Sequence, residues 1–404
     1  MTTYRQVLLT PRVAPLLGAA LCSRLAEQMF TLVLVFHVLD VFGSAALAGV
    51  VVFAAVAPGL IISPLAGALL DRAGVVRSIV ADLVASAVLV AALAFAPASV
   101  ALVLVLAALY SLTSPLNIAG VRVLLPRLVP RHAAERANAL DSGLFNLVEV
   151  LGPVLAGTVF VLAGGQTAML VVVALYLVAC PLMLLLPSDR PSQAVRPPLL
   201  RSTFDGVRYV LTHPMLRALV VSYGLYQFAW GVLVVAVPTV AGEAWAGVLW
   251  GAAGLAGLVG ALIAGHVLRE GRERMAMIVG TAATAVAVLV ASVGMIGLAV
   301  GLVVVGLVSG LVNVGLLTLR QRRTDPDRLG RVLAVSISLN VLGMPIGSAA
   351  GGFLLDRSPV PAFATAAVAA VLSAVAMWAL VPRADGRAPG PRSRGSRRPA
   401  RRAR

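Results

Sequence analysis

Apolar residues run along this chain in long, nearly unbroken stretches, separated by short groups of charges, prolines and glycines. Breaking the sequence at those groups leaves apolar segments near 13–39, 46–70, 76–96, 99–121, 138–163, 167–187, 215–240, 246–268, 275–296, 298–319, 332–355 and 360–381. Each approaches the roughly 20 residues that a helix needs to cross a bilayer. Strands of a membrane barrel would show alternation in runs of about ten residues; stretches such as 168–186 and 275–293 are continuously apolar instead. With every backbone group to be satisfied inside lipid, the pattern predicts an all-α integral membrane protein of twelve transmembrane helices.

Polar positions supply the topology. Arginines crowd the intervals after spans two, four, six, eight and ten, whereas the opposite intervals carry only Arg357. Positively charged loops stay cytoplasmic, so both termini are expected in the cytoplasm and the protein in the inner membrane. The first apolar run is too long for a cleavable signal and is expected to remain. The longest polar interval divides six spans from six. It predicts an N-terminal bundle over 1–187, a cytoplasmic central loop over 188–213, a C-terminal bundle over 214–381 and a disordered Arg-rich cytoplasmic tail over 382–404. Residues 138–153 and 331–345 are weakly alike about 190 positions apart, as in secondary transporters built from repeated halves.

Composition then removes function classes. The 404 residues are 60% hydrophobic and 12% charged, so this is no water-soluble chain. Its net charge of +16 comes from arginines spread as membrane flanks, which argues against nucleic acid and for lipid as the partner. Cys22 and Cys180 sit inside apolar runs, and His37, His132, His213 and His266 are too far apart for a zinc spacing, so no metal or cofactor is expected. Phosphate-binding and metalloprotease motifs are absent, which leaves pumping by ATP and membrane proteolysis without their chemistry.

The interval after span two reads Gly67-Ala-Leu-Leu-Asp71-Arg72-Ala-Gly74-Val-Val-Arg77. It resembles the signature loop of the major facilitator superfamily, G-x-L-x-D-R-x-G followed by a basic cluster, with Val75 and Val76 where basic residues are usual. A degraded copy, from Gly265 to Arg274, occupies the equivalent place in the second half. Ser23-Arg24-Leu-Ala-Glu27 in span one, Leu125-Pro126-Arg127 with Pro130, Asn138 with Leu140, Phe145-Asn146, and Gly152-Pro153 with Gly157 are similar to a prokaryotic drug- and siderophore-exporter-like branch of that family. The resemblance implies two pseudo-symmetric six-helix bundles that rock about a midplane cavity. It makes Gly67, Asp71, Arg72, Gly74 and Arg77 conformational gating residues. The string Gly352 to Asp356-Arg357 imitates this loop on the opposite face and is read as coincidence.

Several polar residues fall at membrane depth. Arg24 and Glu27 lie about 16 to 21 Å into span one, where ionisable groups face a cavity or each other. They share a helix face and are expected to pair. Glu27, Arg24 and Glu149 are the proton-coupling candidates. Tyr223, Tyr226, Gln227 and Trp230 recur at i, i+3, i+4 and i+7 and form one stripe able to stack on a flat ligand. Tyr110, Asn117, Asn146, Asn313 and Asn340 add hydrogen-bonding groups to the candidate cavity. Glycines from Gly251 to Gly315 are read as packing positions.

These readings converge on a monomeric, non-enzymatic secondary transporter that exports a small amphipathic molecule in exchange for protons. Uptake of a sugar or other metabolite by the same fold is the alternative. A membrane enzyme or sensor would need a catalytic cluster or soluble domain that the sequence does not show.

Overall fold

The computed structural model describes residues 4–130, 133–187, 207–268, 271–323, 336 and 338–381. A five-residue lead-in helix, Tyr4–Leu8, precedes the crossings α1 (Val13–Phe42), α2 (Ala45–Ala73) and α3 (Val75–Ala94). Crossing α4 is made of two stacked helices, Val100–Thr113 and Pro115–Leu128. Next come two helices of 51 and 54 residues, Ala134–Leu184 and Pro214–Val267. At 1.5 Å per residue each is about twice as long as a bilayer is thick, so each must fold back. The turns fall at Gly164 (φ 80°, ψ 168°) and Gly242 (φ 74°, ψ 170°), conformations that a side chain would oppose. The arms are α5 (134–163) with α6 (165–184), and α7 (214–241) with α8 (243–267). The chain ends in α9 (Glu273–Ala291), α10 (Gly294–Arg323), α11 (Gly343–Leu355) and α12 (Pro359–Leu380).

Twelve crossings in two groups of six match the expected fold class. The central interval 188–206 and the tail 382–404 lie outside the described residues, as does His132. One difference concerns span four, which reads as a single apolar run. Pro115 has no N–H to return to Ser111, so the helix is interrupted at Ser114 and restarts with Pro115 as its first residue.

Large apolar side chains cover the outside of the bundle. Leu162, Ile296 and Val293 are among those more than half exposed, as expected where the solvent is lipid. One core fills the N-terminal half and continues through α7 and α8 into α9, α10, α11 and α12; a second, smaller one lies in the C-terminal half around Tyr223 and Tyr226, and Trp230 borders both. The halves meet along two seams, α2 against α11 and α5 against α8. At the arginine-poor end the seams are backbone-tight: a Cβ on Gly157 would lie 3.0 Å from the Gly247 Cα, and one on Gly352 would collide with the Ala45 carbonyl oxygen. Small residues let helices approach where no hydrophobic effect drives them together.

Candidate functional site

The N-terminal half encloses a buried polar network. Arg24, 4% exposed on α1, reaches across to α5, where its Nη1 lies 2.8 Å from an Asp141 carboxylate oxygen. The guanidinium also sits 5.7 Å from the centre of the Phe145 ring. The direct contact expected between Arg24 and Glu27 is therefore not made: one helical turn along α1, the Glu27 carboxylate accepts a 2.9 Å hydrogen bond from the Ser114 hydroxyl, while Arg24 still attracts it through space. Sharing a helix face did not decide the pairing, because Asp141 offered the cation a partner across the helix interface.

Ser114 stands at the interruption of α4, and a second carboxylate serves the same place. Asp82 on α3 is 3% exposed and accepts a long 3.5 Å contact from the Ser86 hydroxyl. The Thr113 hydroxyl and the Asn117 backbone N–H face the same carboxylate. A restarted helix leaves its first N–H groups without carbonyl partners, and a carboxylate there satisfies them and favours the helix dipole. Asn117 donates to Ser23 Oγ at 2.9 Å, while its own amide oxygen is buried without a partner among the described residues. Glu27, Asp82, Ser114, Thr113, Asn117 and Ser23 thus tie α1, α3 and α4 together around one interrupted helix. Tyr110, expected to line a cavity, instead hydrogen-bonds Tyr176 on α6 at 2.6 Å inside the bundle.

The stripe predicted on α7 is real and longer than expected. Ring centroids follow one another at 5.4 Å from Tyr223 to Tyr226, 6.4 Å from Tyr226 to Trp230 and 5.6 Å from Trp230 to Trp250 of α8. The Tyr223 hydroxyl donates to the Asn313 side-chain oxygen at 2.5 Å. Arg320 on α10 is buried and acts electrostatically on Tyr223. Once the Asn340 amide is oriented to donate to the Ser336 carbonyl, its oxygen faces Arg320 Nη2. Gln227 and Asn146 are half-buried. Glu149 on α5 is exposed, and it acts on Tyr223 from the other half.

At the arginine-poor end the halves are latched. The Asp356 carboxylate, after α11, accepts from the N–H groups of Ala45 (2.8 Å) and Ala46 (3.2 Å) and from the Ser44 hydroxyl (3.2 Å) at the start of α2. The Gly352-to-Asp356 string lies on the face opposite the signature loop, as expected, and its Asp356 makes a contact between halves that the sequence did not indicate. Of the signature residues, Gly74 takes φ 86° where α2 passes into α3, and Arg77 is exposed. Gly67, Asp71 and Arg72 lie in the last turns of α2, and the side chains of Asp71 and Arg72 are outside what the structure describes.

Asp82, Asp141 and Arg320 were missed. Asp82 is a lone charge in an apolar run, the signal that singled out Glu27 and Glu149, whereas Asp141 lies just after the charged 127–136 interval and Arg320 beside Arg322 and Arg323.

The profile of the Major Facilitator Superfamily matches residues 16–270 and 219–403. An uncharacterised MFS-type transporter, y4rN of Sinorhizobium fredii, is 42% identical over 394 residues, covering 94% of this chain and 97% of that protein. The multidrug efflux pump Tap of Mycolicibacterium fortuitum is 29% identical over 229 residues, 52% of this chain and 56% of its own length. The enterobactin exporter EntS of Citrobacter koseri is 29% identical over 255 residues, 60% of each chain. Among solved structures, a point mutant of the nucleoside transporter NupG superposes with a TM-score of 0.77 at 12% identity, over 92% of this chain and all of the other. With its twelve crossings, its paired bundles and a family profile spanning nearly its whole length, the chain belongs to the Major Facilitator Superfamily, a family of multi-pass membrane transporters of small molecules.

Proposed function

We propose that the protein exports a small amphipathic molecule across the cytoplasmic membrane in exchange for protons, its arginine-rich end facing the cytoplasm. Residues 1–187 and 214–381 are the two rocking bodies. The observation that carries the proton part is the pair of carboxylates at the α4 interruption. Arg24 makes its ion pair with Asp141 and reaches Glu27 only through space, so among the described residues the direct partner of Glu27 is a hydroxyl, and Asp82 is held by hydroxyls and a helix N-terminus. Ionisable groups at membrane depth without a fixed counter-charge are what proton relays are made of. Export, rather than uptake, is supported by the partial likeness to an efflux pump and a siderophore exporter. Glu149, facing the C-terminal stripe, is the second candidate carrier.

The test uses everted membrane vesicles with an imposed pH gradient and a panel of anionic, neutral and cationic fluorescent amphiphiles. Wild type accumulates at least one of them. Glu27→Gln binds that compound with similar affinity but loses pH-driven accumulation. Full accumulation by Glu27→Gln would make Glu27 structural and pass coupling to Asp82 or Glu149.

A further inference from the structure

The wall formed by α7, α8 and α10 is built from donors that lack acceptors. Tyr226 is 1% exposed, Trp250 8% and Arg320 3%. The Tyr226 hydroxyl, the indole N–H groups of Trp230 and Trp250, and Arg320 Nε find no acceptor in hydrogen-bonding geometry among the described residues, though Tyr226 has Trp230 and Thr284 as near neighbours. A buried donor without an acceptor is destabilising, and a buried cation without an anion more so; among the described residues Arg320 has the Asn340 amide oxygen at Nη2 but no carboxylate. The Trp230 indole and the Thr284 hydroxyl face the Tyr226 hydroxyl, while Trp250 Nε1 and Arg320 Nε keep free donors on the same strip, where a ligand with acceptors would complete them.

The strip has a direction. Arg320, 26 residues into α10, marks its arginine-rich end, and the stacked indoles of Trp230 and Trp250 mark the other. Between them, Tyr223 has already spent its proton on Asn313. From the N-terminal half, Glu149 acts on Tyr223. A buried guanidinium and free donors on this wall favour a ligand that brings negative charge and acceptors to it.

We infer that the transported molecule is an organic anion with a flat apolar body. Its carboxylate or other oxyanion seats on Arg320, and its body lies along Tyr226, Trp230 and Trp250, whose O–H and N–H groups meet acceptors on its edge. This deepens the export reading and rests on it for the existence of a transport site, but not for direction or coupling ion.

Equilibrium calorimetry on the purified full-length protein, with no gradient, separates the two. The probes are 1-naphthoate, 1-naphthamide and 1-naphthylmethylammonium, which share one ring and differ in charge. Naphthoate should bind at least about tenfold more tightly than either analogue, the strength expected of a charge-assisted hydrogen bond. Arg320→Gln should weaken naphthoate about ten- to hundredfold, to the level of the amide, and Arg320→Lys should keep part of the preference. Trp250→Phe should weaken all three alike. Without ligand, Arg320→Gln should melt no lower than wild type, because it removes a buried charge that has no anion among the described residues. Equal binding of the three probes, preference for the ammonium, or no saturable naphthoate binding overturns the assignment. So does a ligand-free Arg320→Gln protein that is destabilised or fails to fold, which would make Arg320 a structural cation. Failure of pH-driven accumulation alone leaves these outcomes unchanged and counts only against the export reading.

Discussion

Replacing Asp356 by alanine should open the arginine-poor end of the transporter. Its carboxylate accepts three hydrogen bonds from the start of α2 and is a direct polar tie between the halves at that end. Two of the three sit in exposed surroundings, where water substitutes for the lost acceptor at little cost. The Ala45 N–H at 2.8 Å is partly buried and carries most of the effect. One charge-assisted bond of this kind, with the favourable end of the α2 dipole, is worth about 1–2 kcal/mol. That bias shifts a two-state equilibrium roughly 5- to 30-fold towards the state open at this end. Spin labels at Ala98, between α3 and α4, and at Val293, between α9 and α10, report the separation of the halves there. Double electron resonance on Asp356→Ala should gain a longer-distance population that is minor in wild type, with Asp356→Asn intermediate. An unchanged distance distribution would show that the latch contributes nothing and that the packed seams alone hold the end closed.

Three further outcomes are expected. Arg24→Gln leaves the partly buried Asp141 without its partner, a change worth less than the roughly 3–5 kcal/mol of a fully buried pair; it should lower the melting temperature in detergent, and the double change with Asp141→Asn should recover much of it. Asp71→Asn should cut transport while leaving ligand affinity within a few-fold, since a gating contact biases populations without touching the ligand; a large affinity loss with normal cycling would contradict the gating role. Cysteines introduced at Ser188 and Ser396 should resist impermeant thiol reagents in intact cells while one at Gly242 reacts, and the reverse pattern would invert the orientation.

The crossings were legible because lipid imposes length and apolarity on every one of them, and glycine-bearing gaps near 164 and 242 already separated the paired spans. The partners were not. Whether Arg24 meets Glu27 or Asp141 depends on the rotation of α1 against α5, which no local spacing encodes. Asp82 gains its role only because α4 is interrupted beside it, and Pro115 was hidden in a run that reads as uniformly apolar. Arg320 sits among the arginines that flank the end of α10, so by sequence it is one more topological charge; only burial distinguishes it. The α7 stripe succeeded because helical periodicity fixes which side chains share a face, yet its continuation to Trp250 crosses a turn, where periodicity stops.

The turns at Gly164 and Gly242 carry a mechanical consequence. Each joins two crossings through a single non-helical residue, so neither hairpin holds slack that could absorb relative motion. The helices that meet at one seam, α5 and α8, are the inner arms of these hairpins. Any rotation that parts them must drag α6 and α7 along as levers, within the same step. The aromatic wall on α7 therefore cannot wait in place while the seam opens: access to the site and the shape of the site change together, through one stiff linkage.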